Sequence, residues 1–204
     1  MLQSLLEEIV KDNRLHAKWL NSLSYMENCG ARKISKCEHA VEVDIMVLKH
    51  AAEEHRHAYY LKKMIERVDK NACPTYNDNE LLGQYGTRHY LHKLDVFTSK
   101  YLIQELTLSS NELKYAAYLL VTYAIEVRAD DLYPIYQSVL KSINSKISVY
   151  NIIKEEEGHL EEMISSLEHS LPNWREHASV ILNYEKELFQ YWIETIEKEV
   201  IVPA

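Results

Sequence analysis

Between residues 149 and 167 the apolar side chains Val149, Ile153, Leu160, Met163 and Leu167 recur at alternating intervals of four and three, the spacing of one helix face. The remaining position of that series is Glu156. A second stretch repeats the pattern, with Glu54 set among Val47, Ala51, Ala58, Leu61, Ile65 and Val68. A third places Glu27 among Leu20, Leu23, Gly30 and Ile34, and in a fourth Glu126 is the lone charge of the run "YAAYLLVTYAIEV" from residue 115 to 127. A chain built this way must fold into long helices whose inner faces each carry one carboxylate. Four such carboxylates cannot lie together in a core uncompensated, because each buried charge costs several kcal/mol or takes up a proton.

Two of the acids come with a histidine one turn further on the same side, Glu54 with His57 and Glu156 with His159. Imidazole and carboxylate together form a mixed oxygen and nitrogen donor set suited to iron or manganese, and two divalent ions balance four carboxylates. Metal-free readings compete with this one. A solvated, ion-paired helix face would account for "KEEEGHLEE" at 154 to 162, Glu53 could pair with His57, and Arg32 or Arg128 could neutralise Glu126. Around the six candidate ligands, His50 and Tyr123 lie one turn before an acid and Asp130 one turn after Glu126, so each is a candidate supporting residue. Glu155, Glu157, Glu161 and Glu162 read as solvated flanks of the fourth seam, and Gly158 reads as an opening for a neighbouring helix.

The breaks between helices are few, since the chain has only four glycines and four prolines among 204 residues. A short helix ends near residue 12, and bundle helices are expected over about 13–36, 40–70, 111–142 and 146–170, with extra helices over about 88–108 and 173–199. Ser110 or Asn111 should cap the third bundle helix and Pro134 should kink it or end it early. The result is an all-α single domain spanning residues 1–204, wired as two helix pairs joined by a long crossover.

Composition narrows the function classes. A net charge of −8 without a Lys/Arg cluster argues against nucleic acid and anionic membrane as partners, and three cysteines without a CxxC pair argue against a disulfide framework or thiolate zinc site. No apolar run is long enough to span a bilayer, and Glu7 and Glu8 interrupt what would be a signal sequence, so a cytoplasmic protein is expected.

Glu27, Glu54-x-x-His57, Glu126 and Glu156-x-x-His159 resemble the di-iron carboxylate motif of the ferritin-like superfamily, which includes rubrerythrins and di-iron oxygenases. The resemblance covers about residues 27 to 159. It implies a ferritin-like four-helix bundle, two iron ions (or manganese, or one of each) held by those six residues, and an oxidoreductase that activates O2 or peroxide. A small or apolar organic substrate would sit in a pocket beside Leu23, Glu27, Leu120 and Tyr123. The partners implied are that substrate, O2 or peroxide, an electron donor of unspecified kind and, at most, a second copy of the chain. Iron storage or peroxide scavenging is the alternative within the superfamily. A metal-free helical interaction module is the alternative outside it.

Overall fold

The computed structural model describes residues 2–39 and 41–201. Among them it has seven α-helices and no strand: α1 Leu2–Lys11, α2 Asn13–Ser35, α3 Ile45–Met64, α4 Gln84–Glu105, α5 Ser110–Ser142, α6 Tyr150–Ser170 and α7 Trp174–Ile201. No helix among the described residues is long and apolar enough to cross a membrane.

Local chemistry sets the boundaries. Asp12 ends α1 and starts α2, its carboxylate accepting from the backbone N–H groups of Arg14 and Leu15 at 2.8 and 3.0 Å. Asp44 does the same for α3 through Met46 and Val47, and this cap is why α3 begins at Ile45 and not near residue 40. The residue capping α5 is Ser109, one position before the expected pair. It forms a reciprocal capping box in which Glu112 N–H donates to the serine hydroxyl and Ser109 N–H donates to the Glu112 carboxylate. Pro134 neither ends α5 nor shortens it. The carbonyl that its missing N–H leaves free belongs to Asp130, which is exposed, so water can serve it.

The helices pair as the seams require. α2 packs along α3, α5 packs along α6, and α3 meets α6, so the four acid-bearing faces converge. Leu20, Leu23, Leu61, Leu119, Leu120, Met163 and Leu167 are fully buried around them. α4 and α7 pack against each other and against α5, and α1 closes one end on α2, α5 and α7. The α4–α7 contact is close at Gly83, whose φ of 72° favours glycine and where a Cβ would sit 2.8 Å from Ile196. The long connection between α3 and α4 is held by side chains: Asn21 donates to the carbonyls of Thr75 and Glu80, and Lys62 to those of Cys73 and Thr75.

Candidate metal centre

The six predicted ligand residues come together between the two helix pairs. They form two overlapping groups, Glu27, Glu54, His57 and Glu156 on one side and Glu54, Glu126, Glu156 and His159 on the other. Within each group one ligand atom per residue lies within 4.8 Å of all the others. Glu54 and Glu156 belong to both, as bridging carboxylates would. All except half-buried Glu27 are buried.

The histidines are oriented crosswise. His57, on α3, places Nε2 2.7 Å from Glu155 of α6, and His159, on α6, places Nε2 2.7 Å from Glu53 of α3. A ring whose Nε2–H donates outward to a carboxylate keeps Nδ1 for the inside. Both Nδ1 atoms lie 3.0 Å from a Glu156 oxygen, and that of His57 is buried with no hydrogen-bond partner. Glu155 and Glu53 therefore hold the two imidazoles in place. The competing Glu53–His57 pairing on one helix gives way to a pairing across helices, because the inward tilt of each ring aims its far nitrogen at the facing helix.

The electrostatics call for positive charge at this point. Burial raises Glu54 and Glu126 well above the ordinary carboxylate range, and the neighbouring Glu156 adds to the rise. Burial opposes a charge on both imidazoles, yet hydrogen bonds and the carboxylate field outweigh it and push His57 up to about 9 and His159 up to about 11. Glu156, at the centre, is likewise buried but is held below the usual carboxylate range by His159 and His57. Four converging carboxylates and two inward nitrogens, one of them the orphaned His57 Nδ1, fit a pair of divalent cations that prefer oxygen and imidazole donors.

The supporting residues differ from expectation in instructive ways. His50 is buried: its Nε2 lies 2.6 Å from Glu162, its Nδ1 3.2 Å from the Tyr118 hydroxyl, and its ring 4.5 Å from that of His159. Glu162 and Glu155 are thus not plain solvated flanks, since each holds an imidazole and a cation, Lys49 or Arg56. Tyr123 packs edge-on against Trp174, with ring centroids 5.4 Å apart, and touches no ligand. The tyrosine that does is Tyr133, nearly three turns later on α5, whose hydroxyl donates to Glu27. Asp130 is exposed and belongs to neither ligand group, although it lies one turn beyond Glu126 on the same helix. A Cβ on Gly158 would meet nothing within 4 Å, so this glycine admits no neighbouring helix.

Arg128 is taken by another acid. It forms a two-pronged pair with Glu185 of α7 at 2.8 Å on each prong, and the Tyr90 hydroxyl donates to the same carboxylate. Glu185 carries the same sequence signal as the ligands, a lone acid in the seam Ala178, Ile181, Leu188, Trp192. Unlike Glu54 and Glu156 it has no histidine one turn along, and unlike Glu27 and Glu126 it is paired with an arginine.

A cavity of about 90 Å³ adjoins the cluster. Glu27, Glu54 and Glu126 form its inner wall, Leu23, Val121, Ile125 and Leu132 its sides, and Lys33 its outer end. Leu23 and Glu27 border it as expected, whereas Leu120 and Tyr123 do not. The chain matches no family model, no curated protein and no solved structure.

Proposed function

We propose that the chain is a ferritin-like di-metal carboxylate oxidoreductase, with iron or manganese, acting on a small or apolar organic molecule. The observation that carries this reading is the pair of overlapping ligand groups sharing Glu54 and Glu156, each with an inward Nδ1 whose far nitrogen is fixed by a carboxylate from the opposite helix. Glu27, Glu54, His57 and Glu156 would hold one ion, and Glu54, Glu126, Glu156 and His159 the other. When bound, a pair of redox-active ions would supply the activation of O2 or peroxide. The protein's part is to fix the donors and keep water out. Glu53 and Glu155 orient the imidazoles, Tyr133 holds one oxygen of Glu27, and the apolar walls of the cavity exclude water from the side where a substrate would lie. That cavity, bordered by three of the ligands, favours an organic substrate over iron storage.

Elemental analysis of protein purified from iron- or manganese-replete medium tests the reading. About two ions per wild-type chain are expected by the charge balance. Glu126→Ala should retain fewer than half of them, and Asp130→Ala, at an exposed position one turn further on the same helix, should retain them all. A metal-free wild-type protein, or full loading of Glu126→Ala, refutes the assignment.

A further inference from the structure

The cavity beside the cluster has two ends of unlike chemistry. Its inner end is formed by Glu27, Glu54 and Glu126, its middle is apolar, and its outer end is Lys33. Lys33 is also where the cavity meets two surface depressions, lined between them by Arg32, Lys36, Arg88, Lys114 and Asp95. Arg88 is held by Asp78, and Asp95 pairs with Lys33. Arg32, Lys33, Lys36 and Lys114 therefore face one carboxylate, on a chain whose net charge is −8. The one other cation bordering the cavity, Arg128, is saturated by Glu185. Positive charge thus remains only at the outer mouth.

Gly30 supplies the room. It lies inside α2 and borders the cavity, and a Cβ there would meet only a Glu54 oxygen at 3.8 Å, an ordinary contact. A glycine in a helix interior costs roughly 1 kcal/mol relative to alanine. Here no close helix approach demands it, and what it provides is open space between the carboxylates and the cavity.

We propose that this centre takes an amphipathic acid as its substrate, with the anionic head at Lys33 and the apolar chain running inward to end against Glu27, Glu54 and Glu126; this inference rests on the oxidoreductase reading above. The geometry sets the length. Lys33 lies six residues beyond Glu27 on α2, a rise of about 9 Å, so a medium-length chain anchored at the mouth reaches the carboxylates with its far end. Burial lowers the Lys33 ammonium to about 8, and an arriving anion would raise it again by pairing with it. The head stays away from the inner carboxylates, which would repel it. A cationic amphiphile is disfavoured at the mouth for the opposite reason.

Calorimetric titration of chelator-treated protein with octanoate, octyl sulfate, octan-1-ol and octylamine tests the proposal without relying on turnover. Octanoate should bind at least about tenfold tighter than octylamine, the factor expected of one charge-assisted contact. Tighter binding of octyl sulfate than octanoate would assign the head as a sulfate- or phosphate-like anion within the same class. Lys33→Gln should weaken octanoate by about tenfold and leave octan-1-ol within about twofold, while Ala129→Leu, which fills part of the cavity, should weaken both. In cobalt(II)-loaded protein, paramagnetic relaxation of bound octanoate should be fastest at the methyl end. Equal binding of octylamine, indifference to Lys33→Gln, or fastest relaxation beside the carboxylate overturns the inference. If cobalt loads and octanoate does not bind, this inference fails and the metal reading stands. If octanoate binds through Lys33 but no cobalt loads, the metal reading fails and takes the substrate role with it.

Discussion

His16 shows what burial does to a side chain that has no cation or acid to answer it. It lies in the core beside Trp19, with Nε2 2.7 Å from the Tyr136 hydroxyl, and burial alone holds its pKa down to about 4. The imidazole is neutral in the folded protein and protonates near pH 6.5 in the unfolded one, so acid favours unfolding over the interval between those values. His16→Gln keeps a polar partner for Tyr136 and removes the titration. The stability of wild type relative to this variant should fall by about 3 kcal/mol between about pH 7 and pH 4, measured by urea unfolding at each pH. A constant difference would mean that His16 is not buried as a neutral group. His57 and His159, equally buried, go the other way because carboxylates surround them. That contrast also explains what could be read from the sequence at this scale. Spacing alone put Glu27, Glu54, Glu126 and Glu156 on inner faces, since helical register is a property of one element. It could not reach Glu53, Glu155 and Glu162, whose roles depend on which helix faces which, nor choose Tyr133 over Tyr123, which lie only about 80° apart around one helix.

Elements were legible where a local device marks them and ambiguous where packing decides. Asp12 and Asn13 announce a helix boundary in the sequence, and the structure uses Asp12 as the cap. Asp44 is as good a cap, but it sits within an apolar run beginning with Val41 and Val43, which in isolation extends the helical pattern past the true start. Both valines prove exposed, at 83% and 70%, so they belong to the connection and not to a packed face. Pro134 illustrates the reverse case: the local rule says to break, and eight further residues of packed α5 override it. The attachment of α7 was invisible because the Arg128–Glu185 pair joins two elements far apart in sequence. Removing one partner of a buried pair leaves the other charge unanswered, so Glu185→Ala should cost about 3 kcal/mol, whereas the double change Arg128→Met with Glu185→Leu should cost less than the single one. Denaturant midpoints of the two proteins decide it, and equal losses would show that the pair contributes only shape.

Across the whole molecule, the proposed metal binding would be coupled to folding through the convergence of α2, α3, α5 and α6. A group of carboxylates forced together opposes the helix packing that creates it, and a cation that binds only the folded state turns that opposition into stabilisation. At a hundredfold excess over its dissociation constant one ion adds about 2.7 kcal/mol, so manganese(II) should raise the melting temperature by at least about 5 °C and a chelator should reverse the rise. No metal-dependent shift in a thermal scan would count against the site. The groups behind the two histidines would make the two proposed ion positions unlike. The His57 position has Tyr133 on its terminal carboxylate and an outer acid clamped by Arg56, while the His159 position is backed by a second imidazole, His50, that is itself tied to Glu162. Two such pockets, sharing Glu54 and Glu156 but differing in the groups behind their histidines, would fill and empty one after the other. A titration with metal should therefore resolve into two unequal steps, and a protein carrying one ion, or a different metal in each place, becomes a species that can be prepared and not merely a mixture.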